Sequence, residues 1–290
     1  MIRITTLSEN TAISAGMKKG LRGSFLAEWG LSILIETDNT TVLLDTGKSI
    51  SATHNADTLG INLNKIDKIV LSHSHPDHTG GLLEMLRRIR KNQIEIIAHP
   101  HVWANRYNLR NETEKFSGIP FQRQELENYG AVFTLTAESV KLSDNMLTTG
   151  EVPMVTEFEK TLADNSTTNR FIKKNGEVKP DNILDDQAII IKTDQGLAVI
   201  SGCAHRGIIN TIRHAQQLTG IKTIHSVIGG SHLVQSSGER IRQTIAALKE
   251  LEVQKLGLCH CTSLQAMTAL AHEFGDKFFF NNAGTQVELP

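Results

Sequence analysis

The chain has 290 residues, enough to bury a substantial core in one large domain or two small ones. Hydrophobic residues make up 39% and charged residues 21% of the sequence, a composition that argues against intrinsic disorder. The formal net charge of -1 gives no long-range attraction for nucleic acid or an anionic membrane, and every apolar run is too short to span a bilayer. We therefore expect neither nucleic acid nor a membrane as a partner.

The cysteine content and the first residues favour a reducing compartment. Three cysteines are too few for a disulfide framework. Residues 1–7 alternate between apolar and polar as a first strand does, without the apolar block of a signal peptide. We expect a cytoplasmic location.

Strand and helix patterns alternate along the chain. In the first part the pattern predicts strands at 2–7, 32–36, 41–44, 69–71 and 94–98, with a helix at 81–90. In the second part it predicts a hairpin at 188–192 and 197–201, helices at 208–217, 239–251 and 264–274, and strands at 223–228, 255–259 and 277–280. Each part starts with a hairpin and continues with strand and helix alternation. This order predicts an α/β fold, a four-layer α/β/β/α sandwich with helices outside two facing sheets.

The middle of the chain is the hardest part to interpret. Residues 111–118 and 162–180 are polar and are predicted to be loops, and short strands are predicted at 138–142 and 146–149. No linker divides the chain. We predict one domain over 1–290 with an insertion or lid at roughly 100–180.

One turn concentrates side chains that bind metals. It places three imidazoles and one carboxylate within six residues: His73, His75, Asp77 and His78. The turn follows a predicted buried strand and precedes Gly80-Gly81 and a helix, which is where α/β proteins place chemistry. Imidazole and carboxylate suit zinc and other borderline divalent metals. A solvated, histidine-rich loop is the alternative, but Pro76 and the two glycines restrict the backbone as convergent ligands require.

Five more ligand-type side chains follow predicted strands: Asp45, Cys203, His205, His232 and His260. Any one of them alone could equally be an ordinary polar turn residue. Their common placement predicts that loops from separate parts of the polypeptide meet around a common metal ion.

These motifs resemble those of the metallo-β-lactamase superfamily of metal-dependent hydrolases. The resemblance lies in Leu44-Asp45-Thr46-Gly47, the His-x-His-x-Asp-His turn at 73–78 and the late His260. Further segments are similar to a narrower group, named for 7,8-dihydropterin-6-methyl-4-(β-D-ribofuranosyl)aminobenzene-5′-phosphate synthase: residues 30–36, 149–153, 185–188, 201–210, 229–233 and 259–262.

The resemblance implies roles for these residues. His73 and His75 would be ligands of a first divalent metal, and Asp77, His78 and His260 of a second; Asp45 would orient a ligand through a hydrogen bond. We expect zinc, with manganese, iron or magnesium as alternatives, and one or two ions.

Two departures from the superfamily pattern leave the ligand set open. Its usual histidine about twenty residues before a bridging aspartate is missing, and the comparable region offers Asp185, Asp186 or the earlier Glu151. The position of the bridging aspartate holds Cys203, with His205 two residues on. Either the Cys203 thiolate bridges the metals or His205 completes the first site, and we favour His205 with Cys203 close by.

The resemblance also implies chemistry on a small, anionic, phosphorylated molecule. Asp77 and His232 are expected to move protons, and Glu151, Arg206 and Ser231 to bind the substrate, with Arg206-Gly207 offering a guanidinium and backbone N–H groups at a helix N-terminus. The group's name implies condensation of a dihydropterin pyrophosphate with a ribofuranosylaminobenzene phosphate. A phosphodiesterase or cyclic-ester hydrolase is the rival. A homodimer is compatible with the sequence.

Two other classes are disfavoured. Di-iron oxidoreductases of similar fold carry a glutamate where this chain has His75, and a flavin domain. A non-catalytic metal sensor is disfavoured because nearly every catalytic position is filled. Among the remaining residues, Cys259 and Cys261 are expected to be small buried hydrophobes, and Trp29 and Trp103 to pack in a core.

Overall fold

The computed structural model describes residues 1–13, 23–160 and 170–290, so residues 161–169 of the predicted insertion lie outside the described residues. The chain forms two compact units. The first comprises Met1–Ala98, Ile119–Leu135 and Asn281–Pro290, and the second comprises His99–Gly118 and Thr136–Phe280. In the described part of the chain, every helix is too short or too polar to cross a membrane.

The strands are β1 (Ile2–Ser8), β2 (Ser32–Glu36), β3 (Thr41–Leu44), β4 (Lys68–Val70), β5 (Ile94–Ala98), β6 (Arg106–Arg110), β7 (Thr113–Phe116), β8 (Ala131–Leu135), β9 (Met146–Thr148), β10 (Arg170–Lys174), β11 (Glu177–Pro180), β12 (Ala188–Thr193), β13 (Gly196–Ser201), β14 (Ile224–Gly230), β15 (Lys255–Cys259) and β16 (Gln286–Leu289). The helices with complete descriptions are α1 (Ser51–Leu59), α2 (Pro76–Thr79), α3 (Leu82–Ile89), α4 (Arg123–Asn128), α5 (Ile208–Thr219), α6 (Gly238–Glu250) and α7 (Leu264–Phe274).

The first unit contains a mixed seven-stranded sheet in the order β16-β1-β2-β3-β4-β5-β8. The pairs from β3 to β8 are parallel, and the others are antiparallel. Successive residues of the central strands are buried, as at Ile33–Ile35 and Val42–Leu44, and such continuous apolar runs are typical of strands without a solvent face. Helix α3 buries its apolar stripe, including Leu82, Met85 and Ile89, as its periodicity predicts.

The second unit contains a five-stranded sheet in the order β15-β14-β13-β12-β9. Strands β13, β14 and β15 are parallel neighbours, so their carboxyl ends lie at one edge of the sheet. Helices α5, α6 and α7 contribute buried residues such as Ile212, Leu248 and Leu270 to the core of this unit. The repeated helix-then-strand order of the sequence therefore predicted this part of the fold well.

A second sheet in this unit, in the order β11-β10-β6-β7, corrects the sequence interpretation. The segments 111–118 and 162–180 were expected to be loops, yet they contain β7, β10 and β11. Strands β7 and β11 are exposed throughout and β10 is partly buried along most of its length, so none has the alternation that marks a half-buried strand. Cross-strand aromatic contacts support the sheet instead: the Tyr107 ring lies 5.6 Å from that of Phe116 and 5.7 Å from that of Phe171.

Other boundaries also differ from expectation. The strands predicted at 138–142 and 277–280 are reduced to isolated bridges made by Lys141 and Phe278. The strand β16 was not predicted. It pairs with β1, almost the whole chain away in sequence, and a local pattern carries no signal for such a partner.

Gly80 and Gly81 pack directly against the turn that follows β3. A Cβ atom at Gly81 would lie 2.1 Å from the carbonyl oxygen of Thr46, and one at Gly80 would lie 2.2 Å from that of Lys48. The backbone N–H of Gly81 donates to Gly47 O at 3.0 Å, and the N–H of Thr46 donates to His78 O at 2.8 Å. The two glycines therefore permit the histidine turn and the Asp45 turn to touch.

We predict that Gly81→Ala destabilises the fold, because the new methyl group must displace backbone. The free energy of unfolding should fall by roughly 1–3 kcal/mol, measured by urea unfolding. Gly238→Ala is the matched control, since the nearest atom to its Cβ is the mobile end of Arg242 at 3.5 Å. Equal stability of the two variants would contradict the prediction.

Candidate metal centre

The histidine turn of the first unit brings three imidazoles close together. Strand β4 ends at Val70, and α2 begins at Pro76, which suits the first position of a helix. His73 and His75 therefore lie before the helix, and His78 lies in it. His73 Nε2 lies 2.9 Å from His75 Nδ1, and the His73 and His78 ring centroids are 4.2 Å apart. All three side chains are buried, so this is not a solvated loop.

Asp45 connects the turn to the end of β3. Its carboxylate accepts the backbone N–H of Ser72 at 2.7 Å and the Ser72 hydroxyl at 2.6 Å, and it lies 2.7 Å from His78 Nδ1. With Nδ1 held in this way, Nε2 is the nitrogen through which His78 would bind a metal. Asp45 has a φ of 58°, a strained conformation for a non-glycine residue that costs on the order of 1–3 kcal/mol.

Asp77 is held by a tryptophan. Its Oδ2 accepts the indole N–H of Trp29 at 3.0 Å and lies 4.0 Å from His78 Nε2. Trp29 is 49% exposed, so the expectation that it packs in a core is wrong. The indole fixes one carboxylate oxygen of Asp77 beside the imidazole cluster.

The second unit places its candidate residues just beyond three parallel strands. Cys203 and His205 follow β13, Ser231 and His232 follow β14, and His260 and Cys261 follow β15. The rings of His205 and His232 have centroids 4.0 Å apart. Ala204, His232 and His260 all have φ near 50°, so each turn contains a strained residue. Strain of this kind is concentrated at functional sites.

Cys261 is buried as expected, but it has more than a packing role. Its thiol receives the backbone N–H of His232 at 3.2 Å and lies 3.4 Å from Cys203 O. Burial raises the pKa of the Cys261 thiol, but contacts with Cys203 and His232 outweigh it and hold the pKa well below its ordinary value. The sequence suggested no such role, because strand alternation pointed Cys261 away from His260.

The three carboxylates proposed as substitutes for the missing histidine have different surroundings. The Asp185 carboxylate accepts two hydrogen bonds from the buried Arg106, at 2.8 and 2.5 Å. Asp186 accepts the backbone N–H of Arg206 at 2.9 Å, and burial raises the pKa of Asp186 to about 7. Glu151, which is partly exposed, lies 3.5 Å from His99 Nε2 and 3.5 Å from Arg206. Asp185 is thus engaged by an ion pair, whereas Glu151 retains a solvent-facing carboxylate.

The N-terminus of α5 differs from expectation. The backbone N–H groups of Ile209 and Asn210 donate to the buried Glu159 carboxylate at 3.0 and 2.7 Å. They are therefore not available to an anionic substrate, so the expectation that backbone N–H groups at this helix N-terminus bind one is wrong. The Arg206 side chain is mostly buried, and its Nε donates to Val152 O at 2.7 Å. Glu159 lies about fifty residues before the helix, beyond the reach of a local capping motif.

The donor chemistry fits a divalent metal. In the first unit, buried imidazole nitrogens face one another beside a carboxylate, and the second unit adds imidazoles and thiols at adjacent strand ends. These are the ligand types of zinc and related ions. Together with the α/β architecture, they are typical of metal-dependent proteins whose ligands lie at the ends of strands.

Comparisons with known proteins also indicate metal-dependent chemistry on an α/β fold. The family model described as the metallo-beta-lactamase superfamily matches residues 30–156. The 7,8-dihydropterin-6-methyl-4-(beta-D-ribofuranosyl)-aminobenzene-5′-phosphate synthase of Methanocaldococcus jannaschii is 33% identical, over 99% of this chain and 97% of its own length. The crystal structure of Tm1679, a metal-dependent hydrolase of the β-lactamase superfamily, is 28% identical with a TM-score of 0.77 and covers 100% of this chain and 99% of its own.

A more distant structure shows the same fold. Zn²⁺-bound PqqB from Methylobacterium extorquens is 10% identical with a TM-score of 0.56, covering 99% of this chain and 100% of its own. The chain belongs to the metallo-β-lactamase superfamily and, within it, is similar to the synthase along nearly its full length. The α/β fold class expected from the sequence is therefore confirmed, and membership implies an enzyme that uses a divalent metal.

We predict that Asp45→Asn weakens metal binding by about 10–100-fold, because the amide cannot hold both Ser72 and the His78 N–H as the carboxylate does. Competition with a chromophoric chelator measures the affinity, and circular dichroism checks the fold. Asp38→Asn is the control, since Asp38 makes an exposed ion pair with the N-terminus. Unchanged affinity in Asp45→Asn would show that this contact does not orient a ligand.

We also predict a pH dependence of stability from Asp186. The folded carboxyl keeps its proton up to about pH 7, whereas the unfolded one loses it above 3.8. The folded Asp186 carboxyl therefore binds more protons in this range, and Asp186 alone should lower the free energy of unfolding of the metal-free protein by about 2 kcal/mol between pH 5 and pH 7. Relative to the wild type, Asp186→Asn should lack this contribution of about 2 kcal/mol, and the exposed control Asp194→Asn should match the wild type. Urea unfolding at both pH values measures the free energy of unfolding. An equal change between pH 5 and pH 7 in the wild type and both variants would refute the prediction.

Proposed function

We propose that the protein is a divalent-metal-dependent transferase that condenses a dihydropterin pyrophosphate with a ribofuranosylaminobenzene phosphate. The observation that carries this proposal is the 33% identity to the Methanocaldococcus jannaschii synthase over 99% of the chain. The converging imidazoles of His73, His75 and His78 support the metal dependence. The substrate would be a small anionic molecule.

Each unit has its own proposed ligands. In the first unit they are His73, His75, Asp77 and His78, and in the second they are His205 and His260, with Cys203 as a further donor. We propose zinc as the metal. A bound divalent ion would supply Lewis-acid stabilisation of negative charge on phosphoryl oxygens.

In the first unit, we propose that hydrogen bonds orient the ligands and that one side chain accepts a proton. Asp45 holds His78 Nδ1, and the Ser72 hydroxyl lies 2.9 Å from His73 Nδ1, so both rings are held through the same nitrogen. In this reaction the aromatic amine forms a new C–N bond, the C–O bond to pyrophosphate breaks and pyrophosphate leaves, and the amine must lose a proton. We propose that Asp77 accepts this proton, because its side chain is partly exposed and Trp29 fixes its orientation.

The residues of the second unit are proposed to bind the substrate and supply a second proton carrier. Ser231 donates to Thr262 Oγ1 at 3.0 Å, which orients its hydroxyl. His232 is proposed as an acid or base. Glu151 and Arg206 are proposed as substrate contacts, with Glu151 the more accessible of the two.

A hydrolase is the second candidate. The similarity to Tm1679, described as a metal-dependent hydrolase, favours it. The same residues would then act on water attacking a phosphodiester or a cyclic ester, with Asp77 accepting the proton of water.

One experiment separates the two functions. The metal-loaded protein is incubated with the pterin pyrophosphate and the aminobenzene phosphate, and separately with a panel of phosphodiesters and cyclic esters. Mass spectrometry detects the condensed product, and a coupled assay detects pyrophosphate. Condensation with equimolar pyrophosphate release supports the synthase. Ester hydrolysis without condensation overturns it in favour of the hydrolase, and bound iron with a visible absorption band would indicate an oxidoreductase.

We predict that His75→Ala removes turnover and lowers bound metal, because it deletes a buried imidazole whose Nδ1 faces His73 Nε2. Turnover should fall by more than about 100-fold, since loss of a hydrogen bond to a metal ligand already lowers metal affinity or activity by about 10–100-fold. Metal content is measured by mass spectrometry of the purified protein. His272→Ala is the control, as His272 is exposed on α7. Full metal content in His75→Ala would refute the ligand assignment.

A further inference from the structure

Three consecutive parallel strands each place one soft or borderline metal ligand at the same distance beyond the strand end. Cys203 is the second residue after β13, His232 the second after β14, and Cys261 the second after β15. The pairing of Ser201 with Gly229 and of Gly230 with Cys259 aligns these ends along one edge of the sheet. The two Sγ atoms and a ring nitrogen of His232 consequently lie within 4.8 Å of one another.

Gly229 and Gly230 permit this close approach. A Cβ atom at Gly229 would lie 2.0 Å from Ser201 O, and one at Gly230 would lie 2.4 Å from Gly202 O and 2.7 Å from Cys261 Sγ. The backbone N–H of Gly230 also donates to Gly202 O at 2.9 Å. A side chain at Gly230 would collide with Cys261 Sγ and crowd Cys203, so this glycine leaves the space that the cysteine cluster occupies.

His232 contributes a second, independent observation. Its Nδ1 atom is buried and has no hydrogen-bond partner among the residues that the structure describes. A buried ring nitrogen without a partner is costly unless something binds it. His232 also adopts a φ of 48°, so the backbone holds it in a conformation that side chains rarely adopt.

We propose that Cys203, His232 and Cys261 form a metal site of thiolate character within the second unit, which takes zinc or another thiophilic ion. Three protein ligands of this composition are the set of a zinc site that keeps its fourth position open. Tetrahedral bond lengths require ligand separations of roughly 3.6–3.8 Å, and the three donor atoms lie within 4.8 Å of one another. This inference goes beyond the proposed function: Cys203 and His232 also appear there, as a further donor and as an acid or base, but Cys261 has no part in it, so the tests below rest on Cys261.

Cobalt is the probe for this site, since a thiolate bound to Co²⁺ produces a near-ultraviolet charge-transfer band that imidazole and carboxylate do not. The reduced, metal-free protein is titrated with Co²⁺ alone. The wild type should develop the band, and Cys261→Ser should lose about half of its amplitude, because one of two thiolates remains. Cys259→Ser is the matched control: Cys259 is buried two residues away but lies outside the cluster, and the band should be unchanged.

Two further measurements keep the proposal testable if Cys261→Ser folds poorly. X-ray absorption of the zinc-loaded wild type should show two sulfur neighbours per chain at about 2.3 Å from zinc. His232→Asn should weaken cobalt binding at the site by more than tenfold while keeping the band. A wild type without the band, a Cys261→Ser band equal to that of the wild type, or fewer than two sulfurs per chain would each overturn the proposal. These readouts are independent of turnover, so they separate this site from the proposed reaction.

Discussion

Close backbone packing where strands end is the constraint on which both ligand sets depend. In the first unit, Gly80 and Gly81 bring the histidine turn against the backbone of Thr46 and Lys48. In the second unit, Gly229 and Gly230 bring the end of β14 against Ser201 and Gly202. Each glycine pair removes the side-chain volume that would separate neighbouring turns, so ligand spacing is set by backbone contact. Ligands fixed in this way need little reorganisation when they bind a metal.

Strain and buried charge accompany this arrangement. Asp45, Ala204, His232 and His260 all adopt positive φ, and such residues persist only where the surroundings determine them. In the second unit, buried ion pairs help to hold the backbone in these conformations. Arg106 contacts Asp181 and Asp185, and Glu159 joins the N-terminus of α5 to Arg240. Removing one partner of such a pair leaves an uncompensated charge, which makes the pairs strong constraints on backbone position even where they add little net stability.

The sequence predicted the elements whose signals are local. Apolar runs, turn residues and helical periodicity identified the histidine turn, α3 and the helix-then-strand steps leading to β14 and β15. It failed where the signal is distant or absent. The exposed strands β7, β10 and β11 lack alternation, β16 pairs with the other end of the chain, and Glu159 caps a helix some fifty residues away. For the candidate site, the strand-end histidines were evident from spacing, but the contacts of Trp29 and Cys261 depend on tertiary structure.

The ligands that we propose in the two units differ in hardness, and this difference bears on which metal each set would prefer. His73, His75, His78 and Asp77 combine imidazole with a carboxylate, a set that accepts zinc but also manganese or iron. Cys203 and Cys261 with His232 combine two sulfur donors with one imidazole, a set that favours zinc or another thiophilic ion over magnesium and manganese. Ions of different softness would therefore partition differently between the two sets. A single metal added in excess would mask this preference, whereas limiting amounts of each ion would reveal it, because occupancy then follows ligand chemistry rather than supply.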